Sequence, residues 1–168
     1  DIMAVMTGKI TAANLHQHVK GSAPKDLVLT LAKEKGMSDA EIKKIENEFA
    51  KAEKGYDDLP EFNVGYDIIG KPIQTTEDYK RVIRSIVRDS MRQGQLICEV
   101  RCACDTLKNP ITGKNLEPME GAETIIRMMD EIAEEIRAEG LIPPKMSYVI
   151  LTYRGKNWDG SIPMAELQ

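Results

Sequence analysis

The residues best suited to chemistry are the two histidines of the 168-residue chain, His16 and His18, one residue apart. In a β-strand, residues i and i+2 point to the same face, about 6.5–7 Å apart. Two imidazoles leaning from that spacing can reach one metal ion at about 2.0–2.1 Å each. The plainer account is two neighbouring histidines with no metal, and spacing alone leaves both open. A catalytic zinc usually takes three protein ligands and keeps one position for water, and the chain has only two histidines. Cys102, Cys104 and Asp105 follow a second strand pattern and could reach the same rim. Their Cys-x-Cys spacing departs from the Cys-x-x-Cys of structural zinc sites, so buried packing is the preferred account of the thiols.

These side chains need a strand that ends at His18 and a turn beyond it. Residues 9–18 have strand character, with Ile10, Ala12, Ala13 and Leu15 as the buried set. Gly21 permits a tight turn or a close backbone approach. Ser22 then suits an N-cap with Pro24 in the first turn, and Leu27, Val28, Leu31 and Ala32 recur at helical spacing up to Gly36. Ser38 and Glu41 form a capping-box pattern for a helix with Ile42, Ile45 and Phe49 on its apolar face and a solvated lysine–glutamate face opposite. Residues 56–74 read as irregular, broken by Pro60, Gly65, Gly70 and Pro72. Thr75 caps a helix carrying Tyr79, Val82, Ile83, Ile86, Val87 and Met91. Residues 96–103 form a second strand, with Leu96, Cys98, Val100 and Cys102 on one face and Ile97, Glu99, Arg101 and Ala103 on the other, where Glu99 and Arg101 are placed to pair. A loop over 104–119 leads to an amphipathic helix over 122–138, and residues 145–153 form a third strand. Beyond it lies a loop around Arg154 and Trp158, with Ser161 capping a further helix.

Alternating strands and helices imply an α/β fold with parallel strands. About three strand–helix units with helical insertions are present, where a closed (β/α)8 barrel needs eight units and about 250 residues. Residues 1–168 are therefore expected to be one partial unit without a second domain: a fragment, one chain of a split protein, or a smaller α/β unit. Asp1 in place of a methionine suggests a trimmed N-terminus. The net charge of −4 argues against a general nucleic-acid binder. No apolar run approaches the ~20 residues of a membrane span. Three cysteines crowded into one segment suit reduced thiols and a cytoplasmic setting.

The stretch Leu15-His16-Gln17-His18-Val19-Lys20-Gly21-Ser22 resembles the N-terminal signature of the adenosine deaminase family, usually Glu-Leu-His-x-His-Leu-Asp-Gly-Ser. Further matches follow in order. Pro72-Ile73-Gln74-Thr75-Thr76-Glu77-Asp78-Tyr79 is similar to the family's helix start, Ile97-Cys98-Glu99-Val100-Arg101 to its second strand, and Val149-Ile150-Leu151-Thr152-Tyr153-Arg154 to its third. The resemblance implies the N-terminal part of a (β/α)8 TIM barrel and zinc-dependent hydrolytic deamination of a purine nucleoside. It makes His16 and His18 ligands to one Zn2+, with another divalent metal as an alternative. It places Phe62 and Tyr66 over the substrate base, where ordinary helix packing competes as an account, and puts Lys20 and Gly21 beside the sugar. The family's His-Ala-Gly-Glu glutamate, later histidine and aspartate pair have no counterpart, since no histidine follows His18. No catalytic acid or base is therefore assigned to this chain, and a C-terminal remainder or a second chain is expected to complete the barrel. The His-x-Glu and Pro-Cys-x-x-Cys pattern of other zinc deaminases is absent.

Two residues depart from the family pattern. Asn14 replaces a glutamate, and an asparagine can still hydrogen-bond locally. Lys20 replaces the aspartate that binds the ribose 5′-hydroxyl. A lysine has no acceptor, so it favours an anion, and the substrate is expected to be adenosine-like or a 5′-modified or phosphorylated form. A solvent-directed Lys20 is the competing account. Other expectations are a related metal hydrolase of the same barrel group, or a catalytically inactive fragment that binds a partner.

Overall fold

A computed structural model describes residues 12–103 and 107–151. Among these residues, three parallel strands, β1 (Ala12–His18), β2 (Gln95–Cys102) and β3 (Lys145–Ile150), form one sheet in the order β1-β2-β3. Between β1 and β2 lie a 3-10 turn (Lys20–Ser22) and helices α1 (Lys25–Glu34), α2 (Asp39–Ala52), α3 (Leu59–Gly70) and α4 (Thr76–Arg92). Helix α5 (Pro118–Ala138) joins β2 to β3.

One face of the sheet is the core. Cys98, Val100 and Cys102 of β2 point into a cluster with Tyr79, Val82, Ile83, Ile86 and Val87 of α4 and Ile125, Met128, Ile132 and Ile136 of α5. Each fully buried aliphatic chain of this kind contributes about 1.5–3 kcal/mol. On the outside, α4 and α5 are tied by three bridges of constant offset: Lys80 to Glu131, Arg84 to Glu135 and Arg88 to Glu139. The four-residue step repeats on both helices, so the bridges recur once per turn. The opposite face of the sheet is open, and it carries Leu15, His16, His18, Ile97, Glu99 and Arg101.

The Ser38–Glu41 capping box and the Thr75 cap, here reciprocated by Asp78, form as their sequences imply. Four expectations change. Leu15 is 54% exposed rather than buried, and Ala13 is exposed with it. The N-cap of α1 is Pro24, while Ser22 ends the 3-10 turn. Residues 59–70 are helical, because Asp58 caps the helix through the Glu61 amide and Pro60 falls in the first turn, where its missing N–H is harmless. Helix α5 begins at Pro118, again a proline in the first turn but with no side-chain cap from Glu117, which shortens the preceding loop. Ile10, Cys104, Asp105, Arg154, Trp158 and Ser161 lie outside the described residues.

Candidate functional site

Strand β1 does not run evenly beside β2. Asn14 pairs with Cys98 and Gln17 with Val100, so three steps on β1 span two on β2. Leu15 and His16 together oppose Glu99, which is a β-bulge, a device that re-aims side chains. Leu15 shares the open face with Ala13 by ordinary alternation, and the bulge sets His16 and His18 on that same face. The stretch is held at two points. The Asn14 side-chain oxygen accepts the His16 amide at 3.4 Å, and the Leu15 carbonyl accepts Nη2 of Arg101 at 2.8 Å.

The two imidazoles converge: their ring centroids are 5.1 Å apart and their Nε2 atoms 3.2 Å apart. Two nitrogens bound tetrahedrally to one zinc at about 2.05 Å would lie about 3.3 Å apart. The residues present therefore fit a metal on its two-histidine side, and the same separation also accommodates an N–H···N hydrogen bond in one tautomer. Burial holds His18 below its ordinary pKa, and the neighbouring His16 and Arg101 charges push the same way. The neutral ring is the ligating form. Among the described residues, no third His, Cys, Asp or Glu joins them to make a cluster. Cys102 belongs to the opposite, core face, where it is buried near the Tyr148 hydroxyl.

Beyond His18 the chain passes under α3. Lys20 is half-buried, and its stem crosses Gly70 so closely that a Cβ there would lie 2.9 Å from Lys20 Cδ. Burial lowers the Lys20 pKa, Asp67 and Cys102 oppose the shift, and Lys108 adds to it. The Lys20 stem is thus packed against Gly70 of α3. A Cβ on Gly21 would touch the Tyr66 ring at 3.3 Å and His18 Cβ at 3.7 Å. Gly21, Phe62 and Tyr66 share a cavity of about 320 Å³ with Phe49, Tyr56 and Ile69. Its wall is an aromatic stack: Tyr56 meets Phe62 edge-on at 5.6 Å, and Phe62 meets Tyr66 at 6.0 Å.

The profile of the adenosine deaminase family matches residues 12–147. The chain belongs to the adenosine deaminase family. The family is generally metal-dependent. Solved structures with the same fold include Arabidopsis ADAL complexed with GMP (TM-score 0.65, 19% identity, 90% of this chain, 43% of that one). The Arabidopsis N6-mAMP deaminase MAPDA follows at TM-score 0.62 and 19% identity, over 84% of this chain and 40% of its own. An adenine deaminase from Arthrobacter aurescens gives 0.57 and 16%, over 82% and 38%. The chain thus forms part of a TIM-barrel deaminase fold and spans about 43% of the length of the first of these. No curated protein matches significantly.

In this adenosine deaminase family chain the structure gathers Gly21, Phe62 and Tyr66 around one cavity and sets His18 beside Gly21. Sequence reading missed the seat of α3. A Cβ on Gly65 would strike the Tyr56 hydroxyl and lie 2.6 Å from Glu48 Oε1. A glycine in mid-helix, where it costs about 1 kcal/mol against alanine, was the available signal. The Arg101–Leu15 contact had no local signal, since 86 residues separate the partners.

Proposed function

We propose that this chain supplies part of the active site of a zinc-dependent hydrolase that deaminates a purine nucleoside or its 5′-phosphorylated form. The observation that carries the reading is the 3.2 Å approach of His16 and His18 Nε2, which suits two ligands of one metal ion. When bound, the metal would acidify a water for attack on the amino-bearing purine carbon, with ammonia leaving. The chain's own residues would do the positioning. Phe62 and Tyr66 would cover the base and exclude bulk water. Gly21 would let the backbone approach the sugar, and Lys20 would meet an anionic group on its 5′ side. The N6-mAMP deaminase and the GMP complex among the structural neighbours support a nucleotide over a free nucleoside. The remaining ligands and the acid–base groups would come from a C-terminal remainder or a second chain, with residues 1–168 one unit. A cytoplasmic setting belongs to the proposal, supported by three cysteines crowded into residues 98–104. No described helix is long and apolar enough to cross a membrane.

The test is zinc content, with ammonia release from adenosine and AMP and methylamine release from N6-methyl-AMP, by the intact protein. About one zinc per site, lost with His16→Ala or His18→Ala together with turnover, is the expected result. Full metal content in both variants would sink the assignment.

A further inference from the structure

We infer that Arg101 is a positioning residue for the metal centre, acting through the Leu15 carbonyl. The inference rests on the reading of His16 and His18 as metal ligands. Arg101 stands in register with His18 across the β1–β2 ladder. Its Nη2 donates to the Leu15 carbonyl at 2.8 Å and to Glu99 Oε1 at 2.6 Å, and its Nε donates to the same Glu99 oxygen at 3.1 Å. The Leu15 carbonyl belongs to the peptide bond that enters His16. Fixing that carbonyl fixes the plane from which the His16 side chain departs. It does so at the bulge, where the register skips Leu15 and His16 and the ladder gives least support.

Charge makes the arrangement informative. A guanidinium beside a cation site is electrostatically unfavourable, so attraction to the metal cannot explain Arg101. Glu99 cancels its charge and holds the planar fork in place, and the pair is only 24% and 19% exposed. A rigid fork serves two acceptors at once, while an ammonium on a flexible stem does not replace it. The competing account is an ion pair that merely satisfies two buried charges.

The experiment measures zinc affinity of the intact protein by chelator competition, with the visible spectrum of the cobalt-substituted form and thermal unfolding alongside. The double variant Glu99→Gln/Arg101→Met removes both charges together, so the net charge facing the metal is unchanged. Arg101→Lys keeps the charge and loses the fork, and it serves if the double variant fails to fold. A positioning role weakens zinc binding about 10–100-fold in both variants and alters the cobalt spectrum, the range typical of groups that orient metal ligands. Zinc affinity within about threefold of wild type in either folded variant overturns the inference. Wild-type zinc binding that survives His16→Ala/His18→Ala shows instead that the metal-centre reading has failed, and the inference falls with it.

Discussion

Lys20 lies two residues beyond His18, where the family pattern carries an aspartate. Its stem is pinned against Gly70, and the Asp67 and Lys108 charges act on its ammonium in opposite senses. An ammonium donates only, so it suits a phosphate and gives a neutral hydroxyl no acceptor. Lys20→Asp is expected to lower kcat/KM for AMP-type substrates about 10-fold or more, with adenosine gaining relative to them. Steady-state kinetics on both substrates decide it, and an unchanged ratio removes Lys20 from specificity.

Helix α3 is held at its first turn and one notch. Asp58 and Pro60 start it, Lys51 bridges Glu61 at 2.6 Å, and the Tyr56 hydroxyl and Glu48 carboxylate press on Gly65. Burial raises the Tyr56 pKa, and the Glu48 carboxylate adds to the rise. A methyl group at Gly65 would push α3, and with it Phe62 and Tyr66, away from Gly21. Gly65→Ala is expected to destabilise the protein by about 1–3 kcal/mol despite its better helix propensity. Tyr56→Phe in the same chain should recover part of that loss by removing the hydroxyl. Urea unfolding of the three variants is the measurement, and a stabilised Gly65→Ala would show that the notch carries no packing role.

Asp78 joins distant parts of the molecule. It accepts the Gln74 and Thr75 amides at 3.0 and 2.8 Å and pairs with Lys35, at the end of α1, at 2.8 Å. Burial alone would raise its pKa, but Lys35, the two amides and the Thr75 hydroxyl outweigh it and hold the carboxyl below its usual value. A depressed folded pKa contributes stability above the unfolded value of about 3.9 and loses it as the pH falls through the folded one. Asp78→Asn should therefore cost about 1–3 kcal/mol at pH 7, and the gap to wild type should close progressively below about pH 3.9. Denaturant unfolding at pH 7 and pH 3 measures both numbers, and a constant gap would rule out the charged form as the cause.

Sequence by itself determined the strands and the helices other than α3, the caps at Ser38 and Thr75, the shared face of His16 and His18 and the pairing of Glu99 with Arg101. All of these rest on contacts within a few residues, where spacing and side-chain chemistry are decisive. Helix α3 was hidden because Pro60 and Gly65 read as breakers until Asp58 and the Tyr56 notch give each a place. Only the tertiary structure decided the bulge that sets Leu15 on one face with His16 and His18, the packing of the Lys20 stem against Gly70 and the cavity that joins Gly21 to Phe62 and Tyr66. Each depends on how one strand registers on another or one helix rests on a turn. Those relations are set by packing between segments that lie far apart along the chain, as Leu15 and Arg101 do, and period and propensity do not encode them.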